Sequence, residues 1–201
     1  MKGLLLLGLF DAALGIAFDY VTCGSVVKLL NPQYQVRLHS HDVKYGSGSG
    51  QQSVTGVPDM DDHNSHWQIM EAHGEGPCKR GEAMKCGSRV RFHHLATGCL
   101  LHSHLFKSPL SNKQEVSCFG NAGKGDTGDN WVVECEEDDD AWHRSEEVRL
   151  KHVDTGLYLA ASAQQFGRPI AGQNEINADQ YNAPGSRWKT AEGVFIKPTE
   201  S

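Results

Sequence analysis

The chain has 201 residues, of which 38% are hydrophobic, 8% aromatic and 22% charged, a composition that fits one globular domain or two small ones. Its 25 Asp and Glu residues exceed its 19 Lys and Arg residues, and the net charge of -6 argues against a nucleic-acid or heparin partner, which requires a positive surface. The 22 glycines and the Ser-Gly runs predict many turns, and therefore short strands rather than long helices.

The N-terminal segment has the features of a secretory signal peptide. A short cationic start precedes an apolar run over residues 3–10, and Gly15-Ile16-Ala17 is a small-x-small cleavage site. We therefore predict a signal peptide over residues 1–17. The alternative is a buried N-terminal helix, since Asp11 interrupts the apolar run. No later apolar stretch approaches the roughly 18 residues of a membrane helix, so no membrane insertion is expected.

The remainder of the chain repeats itself three times. Val27-Lys28-Leu29 resembles Val90-Arg91-Phe92 and Val148-Arg149-Leu150. A single tryptophan then closes each copy, and the three are Trp67, Trp131 and Trp188. The copies cover approximately residues 21–75, 83–137 and 143–197.

Each copy has the pattern of short strands joined by turns. Apolar residues alternate, as at Val36 and Leu38, and turn signals such as Asn31-Pro32 separate the runs. Four strands in each copy would give about twelve, and a three-fold barrel with a hairpin cap would remove the exposed sheet edges. We therefore predict an all-β fold, a β-trefoil, as a single domain over residues 18–201. A single open sheet is the alternative, but it would leave a long exposed edge.

Two histidine pairs are the candidate binding residues. His39 and His41 occupy the same places in the first copy as His102 and His104 in the second. Residues i and i+2 of a strand face the same side, so each pair would present two imidazoles together. The third copy reads Ala160-Ala161-Ser162, so any such site is not three-fold. A polar contact within the fold is favoured over a ligand or partner contact. A metal site is not expected, because no partner carboxylate stands at a telling spacing.

The tryptophans that close the copies have two interpretations. They could be sugar platforms, but the Gln-x pair that precedes this tryptophan in ricin-type trefoils is absent here. We therefore expect core residues.

The run from Glu134 to Asp140 carries six acids in seven residues. A solvated loop is favoured over weak calcium binding, because the spaced ligand order of a calcium loop is missing.

Six cysteines, an even number, fit disulfide bonds in an oxidising compartment. Each of the first two copies has one cysteine before its first strand and another after its last, and these ends meet if the two strands pair antiparallel. The predicted bonds are Cys23 with Cys78 and Cys86 with Cys135. Cys99 and Cys118 remain, and the sequence leaves open whether they pair or stay buried thiols.

The chain resembles the stromal cell-derived factor 2 family. The paired Leu-His-Ser-His strings, residues 47–56, residues 108–111 and Phe166-Gly-Arg-Pro-Ile170 look like the MIR repeat, and residues 21–29 are similar to the family's N-terminal motif. The resemblance covers roughly residues 21–198. It implies a β-trefoil in the lumen of the endoplasmic reticulum, where the family is a non-enzymatic partner of a J-domain co-chaperone and the chaperone BiP.

The resemblance implies a binding protein rather than an enzyme. No catalytic motif is present, so we expect neither an enzyme nor a cofactor but a component of a chaperone complex that meets misfolded clients. The alternative is a glycan-binding module of the secretory pathway.

Family members usually end in a retention signal, whereas this chain ends at Lys197-Pro-Thr-Glu-Ser201. Either the sequence stops short of the signal, or partners retain the protein, or the protein is secreted.

Overall fold

The computed structural model describes residues 19–120, 124–136 and 140–197, so the predicted signal peptide lies outside the described residues. These residues form twelve strands and two short 3-10 helices, His63–Ser65 and Thr127–Asp129. The expected all-β fold class and the strand number are confirmed. The strands are β1 (Val26–Asn31), β2 (Val36–Lys44), β3 (Gln52–Val57), β4 (Trp67–Glu71), β5 (Arg89–His94), β6 (Leu100–Lys107), β7 (Gln114–Phe119), β8 (Trp131–Cys135), β9 (Val148–His152), β10 (Tyr158–Gln165), β11 (Asn174–Asp179) and β12 (Lys189–Val194).

Six of the strands form a closed ring. β1 pairs with β4, β4 with β5, β5 with β8 and β8 with β9, all antiparallel. The ring closes because β1 also pairs with β12, and because Val148 at the start of β9 bridges Trp188 just before β12. A single open sheet with a free edge is therefore the wrong alternative.

The other six strands form a cap of three hairpins. The hairpins are β2–β3, β6–β7 and β10–β11. Their second strands pair with one another in a triangle, β3 with β7, β7 with β11 and β11 with β3. Each copy thus contributes one hairpin to the cap and two strands to the ring.

A second triangle of backbone hydrogen bonds joins the segments that precede the first strand of each copy. The amide of Val21 donates to the carbonyl of Trp142 at 2.9 Å, Met84 donates to Val21 at 2.9 Å, and Trp142 donates to Met84 at 2.7 Å. Each copy donates once and accepts once. The three copies are therefore equivalent at this end of the ring.

The tryptophans that close the copies lie in the core. Trp67, Trp131 and Trp188 are fully buried. Their indole N–H groups donate to the carbonyls of equivalent leucines at 2.8–3.0 Å; these are Leu38, Leu101 and Leu159. A buried indole needs such a partner. The expectation that these are core residues is confirmed. No helix among the described residues is long and apolar enough to span a membrane.

Three disulfide bonds hold the first two copies. Cys23 is bonded to Cys78 and Cys86 to Cys135, with Cα atoms 6.0 and 5.7 Å apart, and these are the pairs that the repeat predicts. The third bond joins Cys99 to Cys118, the pair that the sequence left open, and no cysteine is free. The register of β6 with β7 explains this third bond, because it places Leu101 opposite Cys118 and so brings the two cysteines to neighbouring positions.

Candidate functional site

The two histidine pairs lie within β2 and β6, the first strands of two cap hairpins. The ring centroids of His39 and His41 are 4.8 Å apart, and those of His102 and His104 are 4.9 Å apart. Both pairs meet edge to face, at 86° and 88°. The structure thus brings the two imidazoles of each pair together, as the i, i+2 spacing predicts.

In the first pair, both ring nitrogens of His39 have hydrogen-bond partners. His39 contacts the Asp62 carboxylate through Nδ1 at 2.8 Å and His41 through Nε2 at 2.9 Å. Burial alone would raise the pKa of Asp62, but hydrogen bonds from Ser65 and His39 outweigh it and the pKa is lowered. Burial, followed by the nearby His39, lowers the pKa of His41. Both nitrogens of His39 are thus occupied, whereas the buried Nε2 of His41 has no hydrogen-bond partner among the described residues.

The second pair has richer acidic surroundings. His102 Nδ1 lies 2.9 Å from Asp129 Oδ1 and 3.6 Å from Asp126 Oδ1, whereas His104 Nε2 lies 3.0 Å from Glu115 Oε1. Asp129 and Glu115 are fully buried. Buried carboxylates need hydrogen-bond donors, and the imidazoles supply them.

The interpretation that no carboxylate stands at a telling spacing from the histidines is therefore wrong. Asp62, Asp126 and Asp129 belong to the loop before the tryptophan, which the fold returns to the cap, whereas Glu115 lies on β7, the partner strand of β6. The repeat carries a signal that could have found them, since Asp62 and Asp126 each stand five residues before the tryptophan of their copy.

The third copy carries a different surface at the same place. Ala160 replaces the first histidine, so the site lacks three-fold symmetry, as expected. The nearby Arg149 guanidinium lies 4.0 Å from the centre of the Tyr181 ring, which also contacts Tyr158 edge to face at 5.3 Å. This surface is a cation–π cluster without imidazoles.

The second histidine pair borders a pocket of about 510 Å³ between the second and third copies. Its walls combine imidazoles, carboxylates and hydroxyls with one aromatic ring: His102, His104, His152, Asp126, Asp154, Thr127, Thr155 and Phe119. Among the described residues, no Lys or Arg lines the pocket. The pocket is therefore suited to a polar or cationic ligand.

An apolar pair is exposed beside this pocket. Leu105, which lines the pocket, and Phe106 follow His104 directly on β6, and they are 87% and 50% exposed. The Phe106 ring packs on His104 with the centroids 4.9 Å apart. Exposed apolar side chains can contribute to a protein contact surface.

Two further histidines that the sequence interpretation missed connect the copies. His94 and His152 end β5 and β9, and their Nε2–H groups donate to the carbonyls of Asn64 at 2.8 Å and Gly128 at 2.9 Å. Burial lowers the pKa of His94 to about 4 and also lowers the pKa of His152. Asn31 occupies the equivalent place in the first copy. The signal was available, because all three residues follow the first strand motif at the same distance.

The acidic run is partly paired rather than simply solvated. Glu136 forms ion pairs with Arg149 and Arg187, and Glu134 accepts a hydrogen bond from the Tyr158 hydroxyl at 3.0 Å. Residues 137–139 lie outside the described residues. For the part described, the solvated-loop interpretation is replaced by contacts with the third copy.

Similarity to known proteins extends along most of the chain. Residues 28–148 match the MIR domain family. The chain is 51% identical to stromal cell-derived factor 2 from Homo sapiens over 197 residues, 98% of this chain and 92% of that protein. The crystal structure of the SDF2-like protein from Arabidopsis thaliana superposes with a TM-score of 0.86 at 42% identity, over 90% of this chain and 99% of that one.

A more distant relative is an enzyme complex. The S. cerevisiae protein O-mannosyltransferase Pmt1-Pmt2 complex, bound to its sugar donor, matches 90% of this chain with a TM-score of 0.76 and 26% identity. The match covers 28% of that chain. The fold described above is therefore also found as one part of a longer chain.

Proposed function

The chain belongs to the stromal cell-derived factor 2 family of MIR-domain proteins, and on that premise we propose that it is a non-catalytic component of a chaperone complex in the lumen of the endoplasmic reticulum. Its partners are a J-domain co-chaperone and, through it, a BiP-type chaperone and their misfolded clients. The observation that carries this proposal is 51% identity over nearly the full length of a stromal cell-derived factor 2.

The proposed architecture is a β-trefoil of three MIR repeats. The closed six-stranded ring, the triangle of hairpins and the backbone triangle at the opposite end support it. Three disulfides support residence in an oxidising compartment. A trefoil held in this way is a rigid scaffold, which suits a protein that acts by presenting a fixed surface.

The contact surface for the co-chaperone is the apolar pair Leu105 and Phe106. These side chains leave the core at the end of β6, where they are available to a partner. Binding interfaces concentrate their energy in a few aromatic and aliphatic side chains that become buried on contact.

Co-purification from microsomes tests this proposal. The tagged mature protein is expected to recover a J-domain co-chaperone, and replacing Leu105 and Phe106 by Ser should reduce the recovery at least tenfold. Leu95→Ser is the matched control, because Leu95 is also an exposed leucine, at 47%, but lies in the turn after β5. Equal recovery of the co-chaperone by all three proteins would exclude this surface, and recovery of no lumenal chaperone would exclude the function.

A glycan-binding module is the second candidate, and the pocket beside His102 is the observation that favours it. Asp126 and Asp154 offer carboxylates to sugar hydroxyls, and Phe119 offers a ring face. A glycan array with wild-type protein and Asp154→Ala separates the two candidates. Binding that Asp154→Ala abolishes, without recovery of a chaperone, would favour the glycan module.

A further inference from the structure

The second copy collects three potential metal ligands at one point on the wall of the pocket. His102 Nδ1, Asp129 Oδ1 and Asp126 Oδ1 belong to two elements, β6 and the 3-10 helix before β8. One oxygen or nitrogen atom from each residue lies within 4.8 Å of the other two. We propose that these three side chains form a zinc-binding site.

The distances suit zinc. Zn²⁺ binds histidine nitrogen and carboxylate oxygen at about 2.0–2.2 Å in tetrahedral geometry, which separates the ligand atoms by about 3.3 Å. The two distances from His102 Nδ1, 2.9 Å to Asp129 and 3.6 Å to Asp126, lie on either side of that value. A zinc ion would take the place of the proton that His102 and Asp129 share. Small side-chain movements are sufficient.

The ligands are held in place by bonds that zinc would not break. The second oxygen of Asp129 accepts a hydrogen bond from the Asp126 amide at 2.7 Å. Asp126 Oδ1 in turn accepts from the Gly128 amide at 2.9 Å, and a carboxylate oxygen has a second lone pair that could bind the ion. Such outer contacts fix the orientation of metal ligands.

Two glycines make room for this arrangement. A Cβ atom at Gly125 would lie 1.7 Å from Asp129 Oδ2, and one at Gly128 would lie 2.4 Å from the His102 ring. Neither glycine has a counterpart in the first copy, where Asp61 and Asn64 occupy the same places. The second copy thus has the space that its extra carboxylate requires.

The other two copies lack the full set of ligands. The first copy has His39 and Asp62, but Ser65 stands at the place of Asp129. The third copy has three residues that cannot replace the ligands: Ala160, Ala183 and Ser186. We therefore expect one zinc ion per chain. The equivalent residues of the first copy are suitable control positions for mutations of the site.

Charge and ligand type favour zinc over calcium. Neither Asp126 nor Asp129 forms an ion pair with Lys or Arg within the described ranges, and the His102 imidazole is the side chain that contacts both of them. A divalent cation would compensate both carboxylates. Calcium takes oxygen ligands, whereas imidazole nitrogen is a preferred ligand of zinc. Asp126 is 58% exposed at its side chain, so water can complete the coordination from the pocket.

Zinc titration of the mature, disulfide-intact protein by calorimetry tests the site. Wild type is expected to bind one zinc ion, and Asp126→Asn should weaken that binding at least tenfold while keeping the helix cap, because Asn caps as well as Asp. Asp62→Asn changes the equivalent residue of the first copy and is expected to leave the affinity unchanged. Far-UV circular dichroism verifies that each variant is folded.

Cobalt absorption is the second measurement. Co²⁺ in the same site should give visible bands that His102→Ala abolishes and His39→Ala preserves. Three results would overturn the proposal: no zinc binding by wild type, equal affinities of Asp126→Asn and Asp62→Asn, or calcium binding as tight as that of zinc.

Discussion

The first and second copies start from the same Leu-His-Ser-His string and place it in different surroundings. In the first, His39 meets one carboxylate, that of Asp62, and the ring of His41. In the second, His102 meets two carboxylates beside a pocket of about 510 Å³. The difference arises in the loop before the tryptophan and not in the strand that carries the histidines. A repeat can therefore keep its scaffold in every copy and change its chemistry in one.

Because the three copies share one scaffold, equivalent core mutations should destabilise the protein equally in every copy. Replacing Trp67, Trp131 or Trp188 by Ala should lower the free energy of unfolding by about 3–5 kcal/mol each, because each change opens a core cavity and frees a buried carbonyl. Urea unfolding followed by circular dichroism measures this. A copy that loses its tryptophan at a cost below about 1 kcal/mol would break the equivalence of the three copies.

The disulfides sharpen the comparison, because the second copy has two and the third has none. Replacing Cys86 and Cys135 by Ser should cost about 4 kcal/mol by the chain-entropy relation, and replacing Cys99 and Cys118 about 3 kcal/mol, because the second loop is shorter. Their sequence separations are 49 and 19 residues. The denaturant midpoints of the two double variants show which disulfide contributes more stability. A larger loss for the Cys99–Cys118 variant would show that local packing outweighs loop length.

Stability against pH distinguishes His94 from its first-copy counterpart, Asn31. Burial lowers the pKa of His94 to about 4. Below pH 6.5, His94 therefore binds a proton in the unfolded chain but stays neutral in the folded protein. The free energy of unfolding should therefore fall by about 1–2 kcal/mol between pH 6.5 and 5 on account of this residue.

His94→Asn keeps a side-chain donor for the Asn64 carbonyl and is expected to make that dependence shallower. The measurement is the free energy of unfolding at several pH values for wild type and variant. Parallel curves would show that His94 does not contribute to the acid sensitivity.

The smallest expected effect concerns β6, which carries both a core residue and a surface residue. Leu105→Ser should change the free energy of unfolding by no more than about 0.5 kcal/mol, because Leu105 is 87% exposed. Leu101→Ala on the same strand should cost about 2–5 kcal/mol, because Leu101 is fully buried. Thermal unfolding of the two variants compares them. A large loss at Leu105 would mean that it packs within the protein and is not available to a partner.

The fold was more accessible from the sequence than the site. Repetition identified three copies, four strands in each and a core tryptophan, because packing at the same place in each copy demands similar residues. The repeated cysteines indicated two of the three disulfides. The third, Cys99 with Cys118, depends on the register of β6 and β7, which no repeat could reveal since it occurs once.

The site depended on features that the repeat conceals. Asp129 has no acidic counterpart in the other copies, and the space for it comes from Gly125, which reads as an ordinary turn residue. Its proximity to His102 exists only after the loop before β8 folds back onto the cap. Alignment of the copies on their tryptophans indicates the N-cap position of Asp126, but the bond from Asp129 to His102 requires coordinates.

Closure of the ring has a consequence for how the chain is made. β1, near the start of the chain, pairs with β12, near its end, and the Thr22 hydroxyl donates to the Ile196 carbonyl at 2.7 Å. During synthesis, β1 can pair with β4 of its own copy, but the edge that β12 covers stays unpaired until the last copy has been made. Contacts this remote in sequence slow folding and leave edges exposed while they are awaited. Under the proposed function, the chain would therefore itself need protection by chaperones while it is being translated.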